Sequence, residues 1–262
     1  MDTQTNTPIA QPTAQNPASV FVFPTAGKIF AQAQEIYKTK FNSLIIISLC
    51  SVGISAVAGL MSNQGSAYIK SAADSEKIIG VALALLIALF IIYISIWAYA
   101  ATIRNISSAD PNITAGKSFS ESSHDIMPLF LTGLLAFLFI FGGTILLIVP
   151  GIIFAFWYSQ STYVVITEGL SGKKALDQSK LYVKGNVWEI FKKGFFIIII
   201  SLLIGFGVGF IFGLVGAALR LSFIINIADI IFQMFWTPLV TIYAFLLFQY
   251  LRQSKTVSAP AQ

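Results

Sequence analysis

The stretch IMPLFLTGLLAFLFIFGGTILLIVPGIIFAFWYSQSTYVVIT, Ile126–Thr167, runs for 42 residues without an Asp, Glu, Lys or Arg. As one straight helix it would reach roughly 60 Å at about 1.5 Å per residue. That is twice the roughly 30 Å hydrocarbon core of a bilayer, so the stretch has to fold back. Pro150-Gly151 marks the expected turn, since proline breaks the helical ladder and glycine accepts backbone angles other residues resist. Two spans follow, at about 128–149 and 151–167.

Four more stretches lack ionisable side chains: between Lys40 and Lys70, Lys77 and Arg104, Lys193 and Arg220, and Asp229 and Arg252. Each exceeds the roughly 20 residues a crossing needs. They place further spans at about 42–62, 79–103, 194–218 and 230–250. Over 262 residues the chain is 56% hydrophobic and 10% charged, against roughly 25% charged in soluble domains. A charge at mid-bilayer costs about 2.5 to 3.5 kcal/mol, which accounts for the segregation. The fold class is therefore an all-α polytopic transmembrane helix bundle of six spans.

Two segments outside the spans have one apolar face. At about 25–41, Ile29, Phe30, Ala33, Ile36, Tyr37 and Phe41 recur at helical spacing, and at 172–193 Leu176, Val183, Val187, Ile190 and Phe191 do the same. Both read as interfacial amphipathic helices. The second bends at Gly185-Asn186 and carries Trp188 at headgroup level. Each leads into a pair of spans, which hints at an internal repeat. Residues 1–24 and 253–262 read as disordered tails, and the first lacks the basic, then apolar order of a signal peptide. With both termini inside, thirteen of the sixteen Lys and Arg fall on the cytoplasmic side, as the positive-inside rule requires. Residues Lys173, Lys174, Lys180, Lys184, Lys192 and Lys193 are expected to meet anionic lipid headgroups, at about 1 kcal/mol each. Nucleic acid is not the expected partner of a basic helix held at a membrane.

Chemical signals are sparse. Cys50 lies in an apolar stretch and reads as packing, and one histidine precludes a multi-histidine metal site within the chain. Glu121, His124, Asp125 and Glu168 collect near the inner ends of the spans, where capping outweighs acid–base work as an explanation. Glu168 either pairs with Lys173 or Lys174 or ends its span in water. Gly205, Gly209 and Gly213 form a small-residue ridge on the fifth span, as Ser51, Ser55 and Gly59 do on the first; both are expected at helix contacts. The polar runs Ser159, Gln160, Ser161, Thr162 and Gln233, Thr237, Thr241, beside Pro238, either hydrogen-bond across helices or line a small cavity. No cofactor motif is present, and no span interior carries the buried ionisable residues typical of coupled carriers.

The run Val149-Pro150-Gly151-Ile152, followed by Glu168, Ala175, Ser179, Leu181, Gly185, Trp188 and Phe191, resembles bacterial six-span inner-membrane proteins of largely unassigned function. That group includes the membrane domain fused to some glycerophosphodiester phosphodiesterases. Its members often carry a proline where Tyr163 stands here. The resemblance covers about 45 residues closely, implies a stand-alone membrane module and supplies no catalytic residues. The expected function is a non-catalytic anchor, scaffold or lipid-associated module of the bacterial inner membrane; the alternative is a facilitator or permease for a small or amphiphilic solute.

Overall fold

A computed structural model describes residues 21–54, 74–221 and 223–258. Among them the chain is helical, with no strand. Ten helices follow one another: α1 (Ala26–Thr39), α2 (Phe41–Ile54), α3 (Asp74–Ser107), α4 (Ala115–Ser122), α5 (Ile126–Leu146), α6 (Ile148–Tyr158), α7 (Ser161–Glu168), α8 (Gly172–Val183), α9 (Val187–Leu219) and α10 (Phe223–Ser258). Among the described residues five segments are long and apolar enough to cross a bilayer: Ile78–Ser107, Ala115–Leu146, Ile148–Glu168, Val187–Leu219 and Asn226–Thr256. The chain is a multi-pass membrane helical bundle. α2 is the described part of the first span; its expected continuation to residue 62, with Ser55 and Gly59, lies outside the described residues, as do residues 1–20.

The apolar run folds back as its length demands, but the turn is not at Pro150-Gly151. The reversal is at Leu147, whose extended backbone (φ −160°, ψ 139°) separates α5 from α6. Pro150 sits in the first turn of α6, where a missing N–H costs nothing. Gly151 is helical, and its role is close approach: a Cβ there would collide with the Thr144 hydroxyl and lie 2.9 Å from Thr144 Cα. The fourth span is also broken, at Ser159-Gln160 between α6 and α7.

The architecture has an order that the two expected amphipathic helices only hinted at. A third short helix, α4, precedes the α5–α7 hairpin, so each pair of spans is introduced by one. α1 and α4 open on the same tetrapeptide, Thr25-Ala26-Gly27-Lys28 and Thr114-Ala115-Gly116-Lys117. In both, the threonine hydroxyl caps the helix by accepting from the lysine amide, at 3.4 and 3.3 Å. α4 packs on α3, and α8 on α5, α6 and α7; α1 packs on α9 and α10, closing the order into a ring.

The segment expected as one helix at 172–193 is two. Gly185 takes φ +91°, a conformation open to glycine, and the chain turns there before α9 continues unbroken into the fifth span. Where a C-terminal tail was expected from 253, α10 runs on to Ser258. Buried Ser254 accepts from Asn186 Nδ2 (3.2 Å) and Lys255 donates to the Lys184 carbonyl (2.6 Å), which tie those last turns to the α8–α9 junction.

Burial is concentrated at one end. Ala98–Ile106 of α3, Tyr163–Ile166 of α7 and Leu239–Leu251 of α10 supply most of the core, joined by Ile29 and Ala33 of α1 and Ala175, Tyr182 and Val183 of α8. At its centre Tyr163 stacks on Phe248 and meets Phe245 at a tilt. Toward the other end, Leu83–Phe90, Phe137–Val149 and Leu202–Leu214 are mostly exposed, as lipid-facing surface is.

Candidate functional site

The buried end is ringed by α1, α4 and α8, and its carboxylates Asp125, Glu121 and Glu168 are paired. Arg104, at the end of α3, forks onto Asp125 at 2.7 and 2.9 Å, and Glu121 pairs with Lys117 at 3.9 Å. Glu168 accepts from the Tyr182 hydroxyl at 2.7 Å and faces Arg252 at 3.5 Å. That is neither of the lysines expected for it: Lys173 and Lys174 are exposed at the far end of α8. Burial, and then the hydrogen bond to the Glu168 carboxylate, push the Tyr182 phenol's pKa up. Each carboxylate of the expected acid–base cluster thus has a cationic partner of its own, and the four do not converge.

Ser179, fully buried, bridges the break in the fourth span. Its hydroxyl donates to the Trp157 carbonyl (2.7 Å) and accepts from the Gln160 amide (3.3 Å), two groups that an unbroken helix would have satisfied. Of the six lysines expected at headgroups, Lys173, Lys174 and Lys184 are exposed, and Lys180 lies 4.1 Å over the Trp157 ring. Lys193 departs from the expectation. It is buried against Phe23 and pairs with Glu189, which also holds Lys192. Trp188 is exposed and stacks on Phe191. On the α9 ridge a Cβ at Gly205 would touch Phe232 of α10 at 3.6 Å, whereas one at Gly209 would meet open space.

The polar residues of the two runs part company. Gln233, Thr237 and Thr241 of α10, with Pro238, line a cavity of about 230 Å3. Its other walls are Ser48 and Ser51 of α2 and Ser95, Tyr99 and Thr102 of α3. Ser159, Gln160 and Ser161 do not reach it. Thr162 lines a separate apolar groove of about 700 Å3 between α3 and α5. Ser95 and Tyr99 border both spaces.

A polar cluster lies beyond the cavity, toward the ringed end. Asn105, fully buried one turn beyond Thr102, accepts from Ser43 (3.3 Å) and donates to Ser118 of α4 (3.0 Å). Lys40, itself buried, caps the end of α3 by donating to the carbonyls of Asn105 (2.6 Å) and Ser108 (2.7 Å). Burial lowers its pKa, and the charge of Asp110 opposes that shift. Toward the opposite end Gln233 donates to Asp229 at 2.7 Å. Ser48, Ser95, Tyr99, Thr102 and Asn105 carried no sequence signal beyond being polar in an apolar run. Only their convergence from three helices sets them apart.

No family model, no curated protein and no solved structure matches the chain. Among the described residues no group of His, Cys, Asp and Glu is arranged to hold a metal ion.

Proposed function

We propose that the chain is a non-catalytic protein of the bacterial inner membrane, with both termini cytoplasmic, that serves as a lipid-associated anchor or scaffold module. One observation carries the reading. The three amphipathic helices gather at one end of the bundle, with their apolar faces in its core and Lys173, Lys174 and Lys184 exposed. A basic rim of that kind suits the anionic inner leaflet, at about 1 kcal/mol per lysine. The resemblance of the Val149–Phe191 motif to the membrane domain of glycerophosphodiester phosphodiesterases points the same way. The paired state of Asp125, Glu121 and Glu168 fits a structural role for each.

The test is lipid retention. Protein purified from mixed phosphatidylglycerol–phosphatidylcholine nanodiscs and analysed by native mass spectrometry retains phosphatidylglycerol in excess. The triple variant Lys173→Gln, Lys174→Gln, Lys184→Gln loses the excess while keeping its fold. Equal retention of both lipids by the natural chain refutes the reading. A second reading, facilitated passage of a small or amphiphilic solute, is favoured by the polar cavity between α2, α3 and α10.

A further inference from the structure

The cavity between α2, α3 and α10 has a chemical character more definite than its polarity. Three of its hydroxyls donate to carbonyls of their own helices: Ser95 to Ile91, Thr102 to Ala98 and Thr241 to Thr237, all within 2.7–2.9 Å. With their protons so engaged, their oxygens are left as acceptors. Pro238 has no N–H and so adds no donor to the lining. The Gln233 amide nitrogen is turned to Asp229. No charged side chain lines the space.

An uncharged, acceptor-rich cavity inside hydrocarbon selects its occupant on two grounds. A full charge without a counterion is costly to desolvate there, and unmet acceptors are costly too. The complement is an uncharged group bearing several O–H donors on a short carbon skeleton. Val52, Ala98 and Pro238 supply apolar wall for that skeleton. The volume of 230 Å3 equals nearly eight waters at roughly 30 Å3 each, so a unit of glycerol size fits with room for water beside it.

We propose that this cavity is a binding site for a glycerol-like vicinal diol. It deepens the passage reading but rests on it only for what the site is used for, since occupancy is measurable without flux. Two sources share the chemistry. One is free glycerol from the aqueous phase. The other is the headgroup of a monoacylglycerol in the bilayer, whose chain lies in the adjoining apolar groove across the common wall of Ser95 and Tyr99.

The experiment uses the full chain in nanodiscs. Radiolabelled glycerol is offered by equilibrium dialysis, and 1-monooleoylglycerol by native mass spectrometry. One probe binds at one per chain. The double variant Thr237→Val, Thr241→Val, which keeps side-chain volume, weakens that binding at least about ten-fold with an unchanged unfolding temperature. If it fails to fold, Ser95→Ala serves in its place, with the same expectation. Thr162→Val, which touches only the groove, leaves glycerol binding as it was. Glycerol binding alone identifies the aqueous source, and monooleoylglycerol binding alone the lipid. Binding of neither probe, or binding equal in the natural chain and the folded variants, overturns the proposal. Glycerol flux in proteoliposomes is read separately: binding without flux sinks the passage reading and leaves the site standing.

Discussion

Gly151→Ala isolates the contact on which the α5–α6 hairpin depends. The added methyl would overlap the Thr144 hydroxyl and sit 2.9 Å from both Thr144 Cα and Cβ. Rotating Thr144 relieves the first clash alone; the other two require the helices to separate. Overpacking of this kind costs about 1 to 3 kcal/mol, and the helix gains about 1 kcal/mol when alanine replaces glycine. The net is a loss of up to about 2 kcal/mol, a shift of up to several degrees in unfolding temperature for a chain of this size. Gly142→Ala is the control, because a Cβ there meets nothing within 4 Å, and it is neutral or slightly stabilising. Thermal unfolding of the purified variants in detergent, followed by tryptophan fluorescence, reads both. The reasoning fails if Gly151→Ala unfolds at or above the temperature of Gly142→Ala.

The polar ties give three further outcomes. Arg104→Met leaves the mostly buried Asp125 carboxylate without its bidentate partner; it costs about 2 kcal/mol or more, and Arg104→Met combined with Asp125→Leu recovers part of that loss in the same unfolding assay. Glu168→Ala and Tyr182→Phe each cost about 1 kcal/mol or more and are non-additive in a double-mutant cycle, because both remove the same hydrogen bond. Ser179→Ala strands the Trp157 carbonyl and the Gln160 amide at the break in the fourth span. It costs about 1 to 3 kcal/mol, read as a lowered denaturation midpoint, with Ser171→Ala, an exposed change, as the neutral control.

Span positions were legible because hydrocarbon imposes a one-dimensional rule: a long run without charges has to cross, and one of twice the needed length has to return. α4 escaped notice because it is eight residues long, rich in serine and glutamate, and has too few apolar positions for periodicity to register. The turn was misplaced by three residues because proline was read as a breaker, whereas in a first helical turn it has no bond to break. Partners across the bundle were the least legible. Glu168 left two readings open, nearby lysines or a solvated span end, but the fold brings Arg252 to it from the end of another helix. Lys193 looked like one more basic residue at the membrane surface until Glu189, one turn back, and Phe23 were seen to enclose it. The polar cavity needed three helices in register, and no single helix carries that information.

Topological labelling tests the central claim, that three hairpins each leave and return to one face carrying α1, α4 and α8. In a Cys50→Ser background, single cysteines replace Lys38, Ser120, Lys184 and Leu147, and intact spheroplasts are treated with a membrane-impermeant maleimide. The account predicts that only the Leu147 position, exposed at the hairpin tip, reacts from outside, while the other three react only after permeabilisation. External labelling at position 184, or protection of position 147 in intact and permeabilised cells alike, contradicts it.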